Sequence, residues 1–400
     1  MNKKLVAVAV AGVLASPLAA QAQNANVTLY GRLNIDLELV SGKQAPSLGS
    51  VNPHVWRLSS NSSRLGVRGT EALGGGLNAI FQIEQNVSGD TGNSSSSGFA
   101  SRETFVGLQG NWGTFKMGKF LMPLDDMHPI FGNVPTYTTS ILSTADLWAQ
   151  GTLSKGAGGF DARLGNSLRY DSPVWNGFNF SGQVSLRDSS GFADIAPPAG
   201  DNGEHTAELR HAWVWGGEAV YNNGPLQVGT AYERNVKVRG PDLSDYDWTI
   251  TGAYNFGVVR PALIYERLKY DTPTGDLKRD FWGVSATAPI GPGVLYAFYG
   301  HAGDGNGSAA DGERVGGLTK GNDTKSQQWE ISYTYPLSKR TQVYAGYVKL
   351  DNDRNAAYTF NINAYTFNTT CTGRGDAADL ACGGANGKPD GWVFGMIHLF

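Results

Sequence analysis

The sequence predicts an all-β protein, a 16-stranded antiparallel transmembrane β-barrel, from three observations. Apolar and polar residues alternate over most of the chain, and the alternating segments are longer than the strands of most globular sheets. The connections between these segments are alternately short and long. Alternation alone also fits a soluble β-sandwich, which buries the apolar face of each strand. Strand length and the asymmetry of the connections favour the barrel.

Composition and charge narrow the class further. The 400 residues include 54 glycines and 11% aromatic residues but only 17% charged residues, which does not suit a soluble helical enzyme. The formal net charge of -3 offers no surplus of cations, so no nucleic-acid partner is expected. The mean hydropathy of -0.28 resembles that of a soluble protein, but a barrel places only alternate residues in lipid, so an average hides its membrane character.

The N-terminus indicates export. Residues 1–22 have the parts of a secretory signal peptide: Lys3 and Lys4, an apolar stretch over 5–15, and small residues before a cleavage site. A retained membrane anchor is the alternative, but the stretch is interrupted by a Ser-Pro pair and is shorter than a spanning helix. The mature chain, 23–400, then carries a net charge of -5, because two lysines and no acids are removed.

The first strand illustrates the alternation. Leu29, Leu33 and Leu37 share one face, while Arg32 and Asp36 share the other. The segments of this kind number sixteen and begin near residues 27, 55, 77, 99, 114, 160, 178, 208, 226, 246, 258, 280, 294, 327, 341 and 391. An even number places both termini at the periplasmic end, where the short turns lie.

Five long connections cover roughly 89–98, 120–159, 189–207, 303–326 and 352–389, and they are rich in Gly, Asn, Ser and Asp. The segment 120–159 has forty residues without clear alternation, too many for an idle connection, so we predict that it constricts the lumen. The segment 352–389 is the predicted last extracellular loop.

The last strand ends the chain on an aromatic residue and places five residues on one face: Trp392, Phe394, Met396, His398 and Phe400. Such a strand resembles the signal that the outer-membrane assembly machinery binds. Phe400 is therefore the candidate assembly signal, and the assembly machinery is a predicted partner.

Seven stretches of the sequence carry a resemblance to a known family: VTLYGRLNID (27–36), SSRLGVRGTEALGGGLNAIFQIE (62–84), SRETFVGLQGNWGTFKMGK (101–119), NSLRYDSPVWNGF (166–178), YNNGPL (221–226), LSKRTQVYAGY (337–347) and the closing GMIHLF. In these stretches the chain resembles the general porins of beta-proteobacteria, those of Burkholderia, Bordetella and Comamonas relatives. The resemblance implies a homotrimer in the bacterial outer membrane, in contact with lipid and lipopolysaccharide, whose third long loop folds into the lumen.

Ionisable residues on the lumen face are the candidate pore residues. Alternation turns Arg64 and Arg68 inward, and likewise Arg163 and Arg169, while Arg102 shares parity with Thr104. Matched to the family, the arginine cluster at the narrowest point maps onto Arg64, Arg102 and Arg163, with Glu84 as the opposing acid; Arg68, Arg169 and Arg32 are secondary pore-lining residues. The alternative is that each arginine is merely a solvated wall residue. Arginine stays charged at all working pH values, so the cluster predicts a preference for anions.

The segment 120–159, which the resemblance identifies with the third loop of the family, supplies acids that could oppose these arginines across the lumen. They are Asp125, Asp126 and Asp146, and the sequence leaves open which of them faces the pore. His128 could tune the conductance with pH near its usual pKa. Cys371 and Cys382 lie eleven residues apart in the last long loop; in an exported protein a disulfide between them is expected, and a metal site is not, because no His or further Cys lies nearby.

Four functions remain to be compared. The first is a general diffusion channel for small hydrophilic solutes and inorganic anions, and the second is a substrate-specific anion channel with a saturable site in the constriction. An outer-membrane enzyme is disfavoured, since the chain has no GxSxG or HExxH motif and no metal-ligand cluster, and no cofactor is expected. An adhesin or structural barrel would not require arginines in the lumen.

Overall fold

The computed structural model describes residues 26–43, 54–92, 99–132, 140–149, 159–186, 212–240, 242–360 and 386–400. The predicted signal peptide 1–22 and the cysteines Cys371 and Cys382 lie outside these residues. Among the helices of this part of the chain, none has the length and apolar character needed to span a membrane.

The backbone forms one antiparallel sheet of sixteen strands. In chain order they are β1 (Asn26–Lys43), β2 in two segments (His54–Ser60 and Arg64–Gly74), β3 (Leu77–Asn86), β4 (Thr104–Gly110), β5 (Gly113–Leu121), β6 (Arg163–Asp171), β7 (Phe178–Leu186), β8 (Trp213–Asn223), β9 (Leu226–Val236), β10 (Ser244–Tyr254), β11 (Arg260–Thr272), β12 (Gly275–Ile290), β13 (Gly293–Ala302), β14 (Ser326–Pro336), β15 (Thr341–Asn352) and β16 (Lys388–Leu399). The two segments of β2 pair with successive halves of β1, so they are one interrupted strand.

The sheet closes on itself through the two ends of the chain. Each strand pairs with its neighbour in sequence, and β16 pairs with β1 from Lys43 opposite Lys388 to Arg32 opposite Leu399. Beyond that register, Gly31 and Phe400 exchange backbone hydrogen bonds of 3.0 and 3.2 Å. The prediction of a closed 16-stranded barrel is confirmed. The role of Phe400 as an assembly signal stays a prediction.

The two faces of the sheet are the reverse of those in a water-soluble protein. Apolar side chains are exposed on the outside, as Leu29 is to 64%, whereas polar ones such as Asn34, Asp36 and Glu38 are buried on the inner face of the same strand. Because lipid and not water favours an apolar surface of this kind, the outer face suits the hydrocarbon core of a membrane.

The connections differ from the expected asymmetry in one place. The chain passes from β11 to β12 through the tight turn 273–274, although this turn lies at the end of the barrel where the long loops are. The predicted long loop 303–326 carries a small hairpin of its own, Arg314–Val315 with Leu318–Thr319. The connections at the predicted periplasmic end are therefore short as expected, whereas those at the opposite end are not all long.

Candidate functional site

Glu84 on β3 is the centre of the candidate site. Its side chain is buried and its Oε1 accepts a hydrogen bond of 2.6 Å from Nε of Arg102. Its other oxygen, Oε2, accepts a hydrogen bond of 3.0 Å from the hydroxyl of Tyr30 and lies 3.8 Å from Nε of Arg64. Groups from β1, β2 and the segment before β4 thus converge on one carboxylate.

Arg163, the first residue of β6, completes the cluster. It interacts electrostatically with Arg102 and with the acids Glu103 and Asp125. Arg64 in turn interacts with Arg102 and Glu84. The three arginines expected at the narrowest point therefore lie within electrostatic range as a chain of neighbours, with Glu84 among them. We call Arg64, Arg102 and Arg163 the arginine cluster.

Arg102 reaches the cluster because of an irregularity in strand pairing, which alternation does not predict. Thr104 shares the outward parity of the exposed Val106, so regular pairing would turn Arg102 away from the lumen. Ile83 pairs with Thr104, so regular pairing would place Glu103 opposite Glu84. Instead, the backbone N–H of Arg102 donates to the carbonyl of Glu84, so the register shifts by one residue. An irregularity of this kind re-aims a side chain. The prediction that Arg102 faces inward because it shares parity with Thr104 is therefore wrong in its reason, although Arg102 does contact Glu84.

Glu103 is a residue that the sequence argument missed. It precedes Thr104, whose partner across the sheet is Ile83, and it interacts electrostatically with Arg64 and Arg163. The same backbone irregularity that directs Arg102 to Glu84 brings its neighbour close to the cluster. A single acid between a long connection and a strand carries no periodic signal, so only the structure reveals it.

Arg169 is surrounded by acids. Its guanidinium forms ion pairs of 2.6 Å with both Asp126 and Asp171, and Glu218 lies 3.9 Å away. Asp126 is thereby directed at β6. The two remaining secondary candidates lie near β1 and β2: Arg32 is opposite Arg64 in the register, and the guanidinium carbon of Arg68 lies 4.8 Å from the ring centroid of Tyr30.

The other two acids of the third loop have different surroundings. Asp125 is hydrogen-bonded to Asp161, and burial raises the pKa of Asp125 and raises that of Asp161 well above its usual value. Two adjacent carboxyl groups disfavour each other's charged form, which adds to the effect of burial. Asp146 is buried and lies 3.5 Å from the side-chain amide of Gln328. Of the three, Asp125 has an electrostatic interaction with the cluster, through Arg163.

The loop between β5 and β6 is anchored to the barrel by polar contacts. It contains a 3-10 turn (Pro123–Met127), a one-turn helix α1 (His128–Phe131) and a second 3-10 turn (Thr144–Asp146). The carbonyl of Phe131 accepts hydrogen bonds of 2.7 and 2.8 Å from Ser285 and Tyr296. The indole of Trp148 donates to Thr249 at 3.0 Å. All of these wall residues belong to the buried face of the sheet.

Glycines in the wall leave room for apolar side chains of the same loop. A Cβ added to Gly229 on β9 would lie 2.8 Å from both Ile130 and Met127, and one added to Gly391 on β16 would lie 2.4 Å from Ile141. β9 and β16 are seven strands apart in a barrel of sixteen. The loop therefore makes close contacts with the wall at positions nearly half a circumference apart.

His128 is buried within this loop. Its ring lies 5.1 Å from that of Phe131 and 5.0 Å from that of Trp148, and Nε2 is hydrogen-bonded to the hydroxyl of Thr144. Burial lowers the pKa of His128 to about 3. The imidazole is therefore neutral throughout the usual pH range, and the suggestion that it tunes the conductance near its ordinary pKa is wrong.

The neutral state of His128 makes the stability of the protein depend on pH. Below the unfolded-state pKa of about 6.5 the unfolded chain takes up a proton that the folded protein does not, so stability falls as pH falls. Between pH 7 and pH 5 we expect this residue to remove about 2 kcal/mol of the free energy of unfolding. Urea unfolding in detergent at the two pH values measures it, and His128→Gln should lose correspondingly less on acidification. An equal loss in both proteins would contradict the assignment.

Comparison with known proteins agrees with the fold. The chain matches the family model of Gram-negative porins over residues 6–355. It is 31% identical over 361 residues to outer membrane porin protein 32 of Delftia acidovorans, covering 88% of this chain and 90% of that one, and 28% identical to an outer membrane porin of Bordetella pertussis, covering 86% and 93%. Among solved structures, an anion-selective porin from Comamonas acidovorans superposes with a TM-score of 0.66 at 25% identity, over 94% of this chain and all of that one. The chain is a β-barrel of the bacterial outer membrane and belongs to the Gram-negative porin family.

Proposed function

We propose that this porin is a general diffusion channel for small hydrophilic solutes and ions that prefers anions. The observation that carries the proposal is the arginine cluster, which gathers Arg64, Arg102 and Arg163 around Glu84, while Asp126 and Asp146 of the third loop contact Arg169 and Gln328. Arginine cannot lose its proton in this setting, and fixed charges beside low-dielectric walls raise the local concentration of the opposite ion.

The loop between β5 and β6 is the proposed constriction. Its hydrogen bonds to Ser285, Tyr296 and Thr249, all on the buried face of the sheet, support a position within the lumen. A loop held there narrows the water-filled path and brings passing ions close to the wall charges, where the electrostatic interaction is strongest.

The local balance of charge supports an anion preference in a chain whose net charge is negative. The three arginines interact with Glu84 and Glu103, and Arg163 also interacts with Asp125. Asp126 is paired with Arg169, and the raised pKa values of Asp125 and Asp161 favour less negative charge on that pair. A positive surplus at this level of the wall is the expected result.

The zero-current potential of the channel tests the proposal. Purified protein in a planar bilayer under a KCl gradient should give a potential with the sign of chloride preference. Because exposed charges are screened by salt, the preference should weaken as the KCl concentration rises. A potential with the sign of potassium preference would overturn the proposal.

A saturable anion site is the second candidate function. Guanidinium groups bind carboxylates and phosphates through paired N–H donors, and the arginine cluster brings three of them together beside Glu84. Conductance that saturates at low concentration of one anion, with block of chloride current by it, would favour this function over general diffusion.

We further propose that the chain forms a homotrimer embedded in outer-membrane lipid and lipopolysaccharide, and that the assembly machinery binds the last strand through Phe400. The exposed apolar face supports contact with lipid, and the pairing of Phe400 with Gly31 makes the end of the chain part of the seam that closes the barrel. Cross-linking of the protein in native membranes tests the number of subunits.

A further inference from the structure

Tyr30 is a half-buried neighbour of the arginine cluster that the proposed function does not yet use. It lies on β1 directly opposite Gly66 of β2. A Cβ added to Gly66 would lie 2.4 Å from Cζ of the tyrosine, so the ring occupies the space that any other residue at 66 would fill. The guanidinium carbon of Arg68 lies 4.8 Å from the ring centroid, which adds a cation–π contact. The position of the ring is thus defined on two sides.

The hydroxyl of this well-placed ring competes with an arginine for one oxygen. Oε2 of Glu84 accepts the 3.0 Å hydrogen bond from Tyr30 and lies 3.8 Å from Nε of Arg64, while Oε1 is occupied by Arg102 at 2.6 Å. The carboxylate is therefore held between Tyr30 and Arg102, and its distance to Arg64 is that of a loose ion pair.

We propose that Tyr30 is a positioning residue that keeps Glu84 from pairing closely with Arg64, so that the charge of Arg64 remains directed at passing anions. This inference rests on the proposed anion preference. Without the hydroxyl, Oε2 would lose its hydrogen-bond donor while Nε of Arg64 lies 3.8 Å away, and a carboxylate oxygen that loses a donor gains by a closer contact with a neighbouring cation. The closer ion pair would neutralise one of the three positive charges of the cluster.

Tyr30→Phe tests this role because it keeps the ring against Gly66 and removes only the hydroxyl. We expect the ratio of anion to cation permeability, from zero-current potentials, to fall by about two- to fivefold, the range that corresponds to forming one partly exposed ion pair. The matched control is Tyr347→Phe, which removes a hydrogen bond of 3.1 Å from a tyrosine hydroxyl to Asp390, far from the cluster, and should leave the ratio unchanged.

A double-mutant cycle identifies the route of the effect. In a Glu84→Gln background the competition for a carboxylate no longer exists, so Tyr30→Phe should cause no further change in the ratio. An unchanged ratio in the single variant, or an equal fall in both backgrounds, would overturn the role of Tyr30. The failure of the proposed function looks different: neutralising all three arginines would then leave the selectivity as it is, whatever Tyr30 does.

Discussion

Replacing Arg64, Arg102 and Arg163 together with glutamine is expected to abolish the anion preference of the channel. Glutamine keeps most of the length and polarity of the side chain but removes the charge. If each arginine contributes about 0.5 kcal/mol to the difference between anion and cation passage, the three together change the permeability ratio by about tenfold. Zero-current potentials in a KCl gradient measure this change.

The matched control removes the same number of positive charges outside the cluster. Arg267, Lys278 and Lys325 lie at or near the end of the barrel that carries the long loops, and each forms an ion pair with an aspartate. Their triple replacement with glutamine should leave most of the preference in place. Equal ratios in the cluster variant and the wild type, or equal losses in the two triple variants, would show that the cluster does not select ions.

Glu103→Gln provides the opposite change at the same place. Glu103 interacts with Arg64 and Arg163, so its neutralisation increases the positive surplus of the cluster. The anion preference should rise, whereas Glu71→Gln, at an exposed position near the β2–β3 turn, should not change it. A fall in preference on removal of Glu103 would contradict the charge balance proposed for the constriction.

Filling the glycine positions under the third loop is expected to displace the loop and enlarge the pore. In the double variant Gly229→Leu and Gly391→Leu, the new side chains would occupy the space of Ile130, Met127 and Ile141. Overpacking of this kind costs about 1–3 kcal/mol per site, and moving the loop away from the wall is the way to relieve it. Single-channel conductance should therefore increase and fluctuate, and the thermal midpoint should fall.

Gly182→Leu is the control for this experiment. A Cβ added to Gly182 on β7 meets no atom within 4 Å, so leucine there introduces the same residue type into a strand without touching the loop. Its conductance should equal that of the wild type. If the double variant conducts like the wild type, the contacts of the loop with the wall do not determine the width of the pore.

Much of this site could be predicted from the sequence because strands repeat every two residues. The inward direction of Arg64 and of Glu84 follows from their apolar neighbours, and both lie where alternation predicts. Arg102 reached the predicted place through an irregularity of the backbone, which no regular period describes. The acids of the third loop could not be assigned at all, because a segment without alternation has no predictable face.

The sequence by itself determined the closed barrel, the number of its strands and which face of each strand is apolar. These properties depend on alternation between near neighbours, a local pattern that is legible in any stretch of about ten residues. Only the tertiary structure decided which charges remain available in the lumen. Asp126 meets Arg169 across 43 residues of sequence, and His128 becomes neutral because its own loop buries it. Such contacts depend on where an irregular loop meets the wall. Residues brought together in this way are distant in the sequence, so no periodic pattern of the sequence predicts their contact.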